Sequence, residues 1–370
     1  MRIAYDSQTF CHQSWGGISR YVVRLAEQLI SRNQNVGVFA PLHRNNHVKD
    51  LSPEVVYGYR VNSYLPKSRR LMLSLNQWIS KIAIKQWSPD VVHETYYSKA
   101  GSAPKGCPTV ITVHDMIHEL FNDKYSPRDK TSQLKRIAID RADHVICISE
   151  CTRQDLIRLF KIEEQKISVI HHGAEKYFFD KQFEEQSLVA KRPYLLYVGE
   201  RNGHKNFNHF VRSVASSTRL KKDFDILAFG GGRFTKLEVT LLAGLGFHSE
   251  QVKQLGGNDK LLARLYGQAA AFVYPSLYEG FGLPPLEAMA HNCPVISSNT
   301  SSMPEVIGDA AEFFNPMSMD DIAAAIERVV YAPDRRNELA KLGQKRLNHF
   351  SWDRCAEETL TVYRTLLNHK

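Results

Sequence analysis

Residues 274–305 read YPSLYEGFGLPPLEAMAHNCPVISSNTSSMPE, and the rest of the chain is best understood outward from them. Glu279 stands in a glycine-containing turn, followed by Pro284 and Pro285 and then by Glu287 in a segment of helical composition. The prolines suit a first helical turn, where backbone donors lack intrahelical partners anyway. The N–H groups of Phe281, Gly282 and Leu283 would then gather at a helix start, a place for an anion or a polyhydroxy ligand. Two carboxylates beside such a place repel a bare phosphate, so Glu279 and Glu287 are expected to accept hydrogen bonds from hydroxyls. A ligand with a sugar at one end, a diphosphate in the middle and a ribose at the other meets both demands. That describes a nucleotide sugar.

Around this stretch, short apolar runs alternate with amphipathic ones, the pattern of parallel sheets covered by helices. Candidate strands in the first half are Arg2–Tyr5, Val36–Ala40, Val91–His93, Thr109–His114, His144–Ile148 and Ile167–Ile170. In the second half they are Tyr194–Val198, Asp225–Phe229, Ala271–Tyr274, Val295–Ser297 and Ala311–Phe314. The simplest reading is an α/β chain of two Rossmann-like units in tandem. Its 370 residues suit two domains, each of about 170 to 190 residues. The join is expected in the charged, aperiodic stretch between Glu175 and Arg192, giving domains 1–182 and 183–351 and a last helix over 352–370.

Hydrophobic content of 43% and charged content of 24% are those of an ordinary globular protein. No run reaches the roughly 18 apolar residues of a membrane span. The opening MRIAYDSQTF enters a strand-like segment without the apolar core of a signal peptide, so a cytoplasmic protein is expected. Six scattered cysteines without a C-x-x-C pair fit reduced thiols rather than a disulfide frame or a zinc site. The net charge of +9 is uneven: residues 1–183 hold 26 Lys and Arg against 18 Asp and Glu, and the remainder 22 against 21. This asymmetry points to an acidic partner of the first half, such as an anionic membrane surface or a lipid diphosphate. Nucleic acid is disfavoured, since the basic residues lack interleaved aromatics or a reader motif.

The spacing of Glu279 and Glu287, with F-G-L-P between them and M-P-E downstream, resembles the E-x7-E signature of retaining glycosyltransferases of the GT-B architecture, in particular glycosyltransferase family 4. The resemblance covers nearly the whole chain. It implies two Rossmann-like domains with an interdomain cleft, and a last helix that crosses back onto the first domain. It also implies that Glu279 contacts hydroxyls of the transferred sugar and Glu287 the nucleotide ribose.

Leu196–Phe207, LYVGERNGHKNF, places Arg201 and Lys205 between a strand and a helix. A diphosphate leaving group gains charge as the glycosidic bond breaks, and fixed cations there favour the transition state. Gly199, Arg201, Lys205 and Asn206 match the family's G-x-R-x-x-x-K-N pattern, which implies phosphate-binding roles for Arg201 and Lys205. Trp15-Gly16-Gly17 precedes an amphipathic helix, and the resemblance suggests a donor contact at Gly17, against a plain tight turn. His114, with Asp115, ends a buried strand. The resemblance puts His114 near the transferred sugar or the acceptor; a structural His–Asp bond is the competing reading. Gln254-Leu255-Gly256 sits where family members meet the nucleobase through backbone groups, which implicates Leu255.

Asp223-Phe224-Asp225 invites a metal reading, but it precedes a strand and follows two lysines, so it is taken as structural. No metal or cofactor is expected. Residues 67–87, KSRRLMLSLNQWISKIAIKQW, form a basic amphipathic helix with Leu71, Leu75, Ile79 and Ile82 at helical spacing. Such a helix packs on a sheet or docks on anionic lipid.

The leading expectation is a metal-independent retaining glycosyltransferase that moves a hexose, mannose from GDP-mannose, to a glycan or lipid-linked acceptor in bacterial polysaccharide assembly. GGISRY, TVHDMIHE and YEGFGLPPLEAMA carry the likeness to bacterial mannosyltransferases. A UDP-glucose enzyme of the same fold, a disaccharide phosphorylase and a non-enzymatic membrane adaptor are the alternatives. Its place is the cytoplasm, with peripheral contact at the cytoplasmic face of the inner membrane open.

Overall fold

The computed structural model describes residues 1–174, 190–201 and 203–368. The chain divides into two units, Met1–Gly173 with Trp352–Lys370, and Ala174–Ser351. The expected boundary between residues 182 and 183 lies outside the described residues.

The first unit is built on a parallel sheet of β1 (Arg2–Tyr5), β2 (Asn35–His43), β3 (Val56–Arg60), β4 (Val91–Glu94), β5 (Thr109–Val113), β6 (His144–Cys147) and β7 (Ile167–Val169). Their spatial order is β3-β2-β1-β4-β5-β6-β7. The second unit repeats the scheme with β8 (Tyr194–Val198), β9 (Asp225–Phe229), β10 (Val252–Leu255), β11 (Ala271–Tyr274), β12 (Val295–Ser298) and β13 (Ala311–Phe314), ordered β10-β9-β8-β11-β12-β13. In each sheet the order reverses once, between β1 and β4 and between β8 and β11. Ligands of open parallel sheets bind beyond the strand ends at such a reversal.

Central strands such as β4, β5, β8 and β11 are buried at every position. Both faces are covered by helices, so these strands read as unbroken apolar runs. The expected strands are all present, with ends shifted by a few residues at most. Two strands were not anticipated. β3 (VYGYR) and β10 (VKQL) lie at sheet edges, where fewer positions are buried, and their polar residues break the apolar run.

The helix Trp352–Asn368 belongs to the first unit. Its Cys355, Ala356, Leu360 and Tyr363 share a core with Tyr5, Tyr21 and Leu25. The Tyr363 hydroxyl lies 2.6 Å from Nδ1 of His93, whose Nε2 lies 2.8 Å from the Thr112 hydroxyl. Arg32 ion-pairs with Asp353 and, at 3.6 Å, with Glu357. Apolar burial fixes the helix; the exposed ion pairs add little. Leu360→Ala is therefore expected to destabilise the first unit by about 2 to 5 kcal/mol, measured by urea denaturation.

Candidate active site

Most of the expected site residues lie in the second unit, on the loops that follow β8 to β11. Lys205 ends the single turn Gly203–Lys205 after β8. Asn206 then adopts a left-handed conformation and donates to the Pro316 carbonyl at 2.9 Å, which aims the chain into the helix Phe207–Ser216. Glu279 follows β11. The two loops are joined across the sheet's reversal: the Leu277 amide donates to the His204 carbonyl at 2.7 Å. Lys205 Nζ donates to both oxygens of Glu279, at 2.7 and 2.9 Å.

This pair is largely shielded from water, with side-chain exposures of 21% for Lys205 and 10% for Glu279. Lys205 Nζ stands 5.9 Å from the centre of the Tyr274 ring. Burial, and then the Glu279 carboxylate, raise the Tyr274 hydroxyl well above its ordinary pKa, so it keeps its proton. The backbone of Glu279 is clamped as well. Its amide donates to the Ser301 hydroxyl at 2.9 Å, and Ser302 donates to the carbonyls of Glu279 and Phe281.

Gly282, with φ of 104°, caps the helix Leu283–Ala290. That left-handed turn favours glycine; a Cβ there would stand 2.9 Å from the Met303 methyl, the movable end of a flexible side chain. Pro284 and Pro285 occupy the first turn, and the donors of Phe281, Gly282 and Leu283 lie at the helix start. Glu287 is one turn further along and partly exposed, with the Tyr266 hydroxyl 3.5 Å from its carboxylate.

Arg201, expected at the phosphates, is held by contacts within the second unit. Its Nε donates to Glu238 at 2.7 Å, and its terminal nitrogens donate to the carbonyls of Gly230, Gly231, Gly232 and Arg233. The guanidinium carbon also lies 4.7 Å from the centre of the Phe234 ring. The three glycines have φ of 90°, 66° and 68°, a run that only glycine sustains readily. Arg201 thus shapes the loop after β9. Burial tends to raise the Glu238 pKa, but hydrogen bonds from Arg201 and Thr235 outweigh it and hold the carboxyl below its usual value. Sequence reasoning missed Glu238; the signal was the Thr235-x-x-Glu238 capping box at the start of the helix Lys236–Gly244.

Leu255 ends β10. Its carbonyl accepts from the Gly230 amide at 2.9 Å and from the Gln254 side chain at 2.7 Å, so it supports the same glycine turn. The metal reading of Asp223 and Asp225 finds no shared strand face. Asp223 ends a helix and accepts from the Tyr331 hydroxyl at 2.9 Å, whereas Asp225 opens β9 and lies 3.1 Å from Arg192.

Gly17 and His114 belong to the first unit. Gly17 is the first residue of the helix Gly17–Ser31, and a Cβ there would meet nothing within 4 Å. His114 follows β5 and sets its ring edge-on to Tyr21 at 5.4 Å and to His172 at 5.9 Å. Asp115 is turned to another task, accepting the Ile117 amide at 3.0 Å. Burial lowers the His114 pKa from 6.5 to about 4, with Asp115 opposing and Lys135 assisting.

Two family models match the chain: that described as Glycosyltransferase Family 4 over residues 15–176, and that described as Glycosyl transferases group 1 over residues 178–346. The O-antigen chain mannosyltransferase B of Escherichia coli is 29% identical over 271 residues, 70% of either chain. The MMP alpha-(1->4)-mannosyltransferase of Mycolicibacterium hassiacum is 27% identical over 98% of either chain. In structure, sucrose-phosphate synthase from Thermosynechococcus elongatus superposes with a TM-score of 0.80 at 22% identity, covering 100% of both chains. That likeness, with the two parallel sheets, shows the GT-B fold.

The low pKa of His114 carries a stability consequence. Its folded value lies below the ordinary one, so protonation favours the unfolded chain. Stability is expected to hold above pH 6.5 and to fall as pH drops toward about 4. Melting temperature against pH measures this, and His114→Gln should flatten the decline.

Proposed function

This chain belongs to glycosyltransferase family 4, and from that premise we propose that it transfers mannose from GDP-mannose to a glycan or lipid-linked acceptor in bacterial polysaccharide or lipopolysaccharide assembly, with retention and without a metal. It works in the cytoplasm and, as a peripheral protein, at the cytoplasmic face of the inner membrane. The observation that carries the reading is the contact of Lys205 with both oxygens of Glu279 where the second sheet reverses. One ligand can engage both partners only if it offers an anion and hydroxyls close together, as a sugar diphosphate does. Mannose as the moved sugar is supported by the two mannosyltransferase relatives.

In the proposed step the bond from the sugar's anomeric carbon to the phosphate oxygen breaks, and its electron pair stays on that oxygen. The acceptor oxygen bonds to the same face of that carbon, and its proton passes to the departing phosphate. Lys205 and the donors at the start of the Leu283–Ala290 helix stabilise the leaving charge. Glu279 orients the sugar hydroxyls, and Glu287 accepts from the ribose. Arg201 supports the phosphate site by fixing the glycine turn. His114, neutral at working pH, is suited to a hydroxyl of sugar or acceptor.

Lys205→Ala and Glu279→Gln are each expected to lower kcat/KM by about a hundredfold or more, in a transfer assay with GDP-mannose and excess chelator. The circular dichroism of the Glu279→Gln protein should be unchanged. Calorimetric titrations should show GDP binding more tightly than UDP. Near-normal turnover in either variant overturns the residue roles, and preference for UDP overturns the donor. Transfer abolished by chelator and restored by Mg²⁺ overturns metal independence.

A further inference from the structure

The helix Arg69–Trp87 is attached to its sheet by the wrong side for an ordinary amphipathic helix. Its buried residues are Asn76, Ser80 and Ile84. Asn76 accepts the Leu42 amide at 2.6 Å, and the Ser80 hydroxyl donates to the Phe39 carbonyl at 3.0 Å, both on β2. Polar side chains thus hold the middle of this helix, while Ile84, with Ala83 and Trp87, packs on Phe39 and Val92 at its end. The apolar residues Leu71, Leu75, Trp78 and Ile82 point away, with exposures of 70%, 37%, 63% and 38%. At 3.6 residues per turn these four fall within an arc of about 60°. Leu65, just before the helix, is 78% exposed.

An exposed apolar stripe of this length needs a reason. Its charge setting narrows the choice. Residues 67–87 contain Lys67, Arg69, Arg70, Lys81 and Lys85 and no acidic residue. Among the described residues none of these five side chains pairs with a carboxylate. Arg70, Lys81 and Lys85 fall on one flank of the stripe by the same helical geometry. A second copy of the chain would set like charges against one another. A soluble partner would need an apolar strip matched to an acidic border. A bilayer of anionic lipids offers both along its whole interface. The start of the helix also lies near the ligand side of the first sheet. Burial and then the charge of Arg69 lower the pKa of His12, in the segment that follows β1.

We propose that Leu71, Leu75, Trp78 and Ile82, flanked by Arg70, Lys81 and Lys85, form the face by which this protein docks in the interface of an anionic membrane. The inference rests on the peripheral location proposed above and gives it a surface; it does not depend on which nucleotide sugar is used.

The test is flotation of the full chain with vesicles of pure phosphatidylcholine, or of phosphatidylcholine and phosphatidylglycerol in equal parts. Binding to the anionic vesicles alone, weakened by added salt, is expected. Leu71→Ser with Trp78→Ser, and separately Lys81→Glu with Lys85→Glu, should each lower vesicle affinity by about tenfold or more. Melting temperature and GDP affinity should stay unchanged in both, so a failure of docking is separable from a failure of the donor assignment. The proposal is overturned if wild-type protein stays unbound, if both double variants bind as the wild type does, or if neutral vesicles bind as well as anionic ones. It is equally overturned if sedimentation shows a dimer that the Leu71→Ser, Trp78→Ser variant loses, since the face then joins two copies.

Discussion

The site depends on the bidentate contact between Lys205 and Glu279. Taking a lysine and a glutamate out of water costs several kcal/mol per ion, and only close, well-directed contacts offset it. Here both carboxylate oxygens are engaged, the neighbouring Tyr274 hydroxyl stays protonated, and Ser301 and Ser302 hold the backbone. The contact joins the loops after β8 and β11, at the one place where the order of the second sheet reverses. A ligand that brings phosphate to the lysine and hydroxyls to the glutamate can replace what each gives the other.

Arg201 shows why two cations in one loop need not do one job. Its donors are directed at four carbonyls and a carboxylate, and those carbonyls converge because three successive glycines adopt left-handed conformations. The guanidinium neutralises Glu238 and fixes the turn after β9. Its planar fork suits a ring of fixed acceptors, whereas the lysine ammonium is a compact charge that can be shared. Gln254 and the Leu255 carbonyl close the same turn from β10. The loops after β8, β9 and β10 therefore behave as one polar assembly, and the carbonyl of Leu255 belongs to its support.

Much of this was legible in the chain because local physics and fold agree there. Central strands announce themselves as apolar runs since both their faces are covered, and Pro284, Pro285 and Gly282 mark a helix start by backbone geometry alone. The edge strands β3 and β10 escaped because they have fewer buried positions, leaving no run to see. Glu238 escaped because its partner is 37 residues away and its local signature is that of an ordinary helix cap. The Arg69–Trp87 helix was legible as amphipathic, but spacing does not say which face is buried. Asn76 and Ser80, meeting the Leu42 amide and Phe39 carbonyl of β2, and Ile84, packing on Phe39, decide that, a tertiary fact.

The two units share a strand order but not a chemistry at their strand ends. In the second, paired charges and a helix start gather where β8 and β11 diverge, an environment that suits an anion. In the first, the residues near β4 and β5 are rings: His93, His114, Tyr21 and Tyr363, with burial lowering the two histidines to about 3 and about 4. Neutral imidazole both donates and accepts, and His93 uses both nitrogens inside the core, on the Tyr363 and Thr112 hydroxyls. One topology has thus been furnished twice, with paired charges at the strand ends of the second unit and buried neutral rings at those of the first. The excess positive charge of the first unit lies elsewhere, in part on the helix Arg69–Trp87, where it adjoins an apolar face rather than a binding loop.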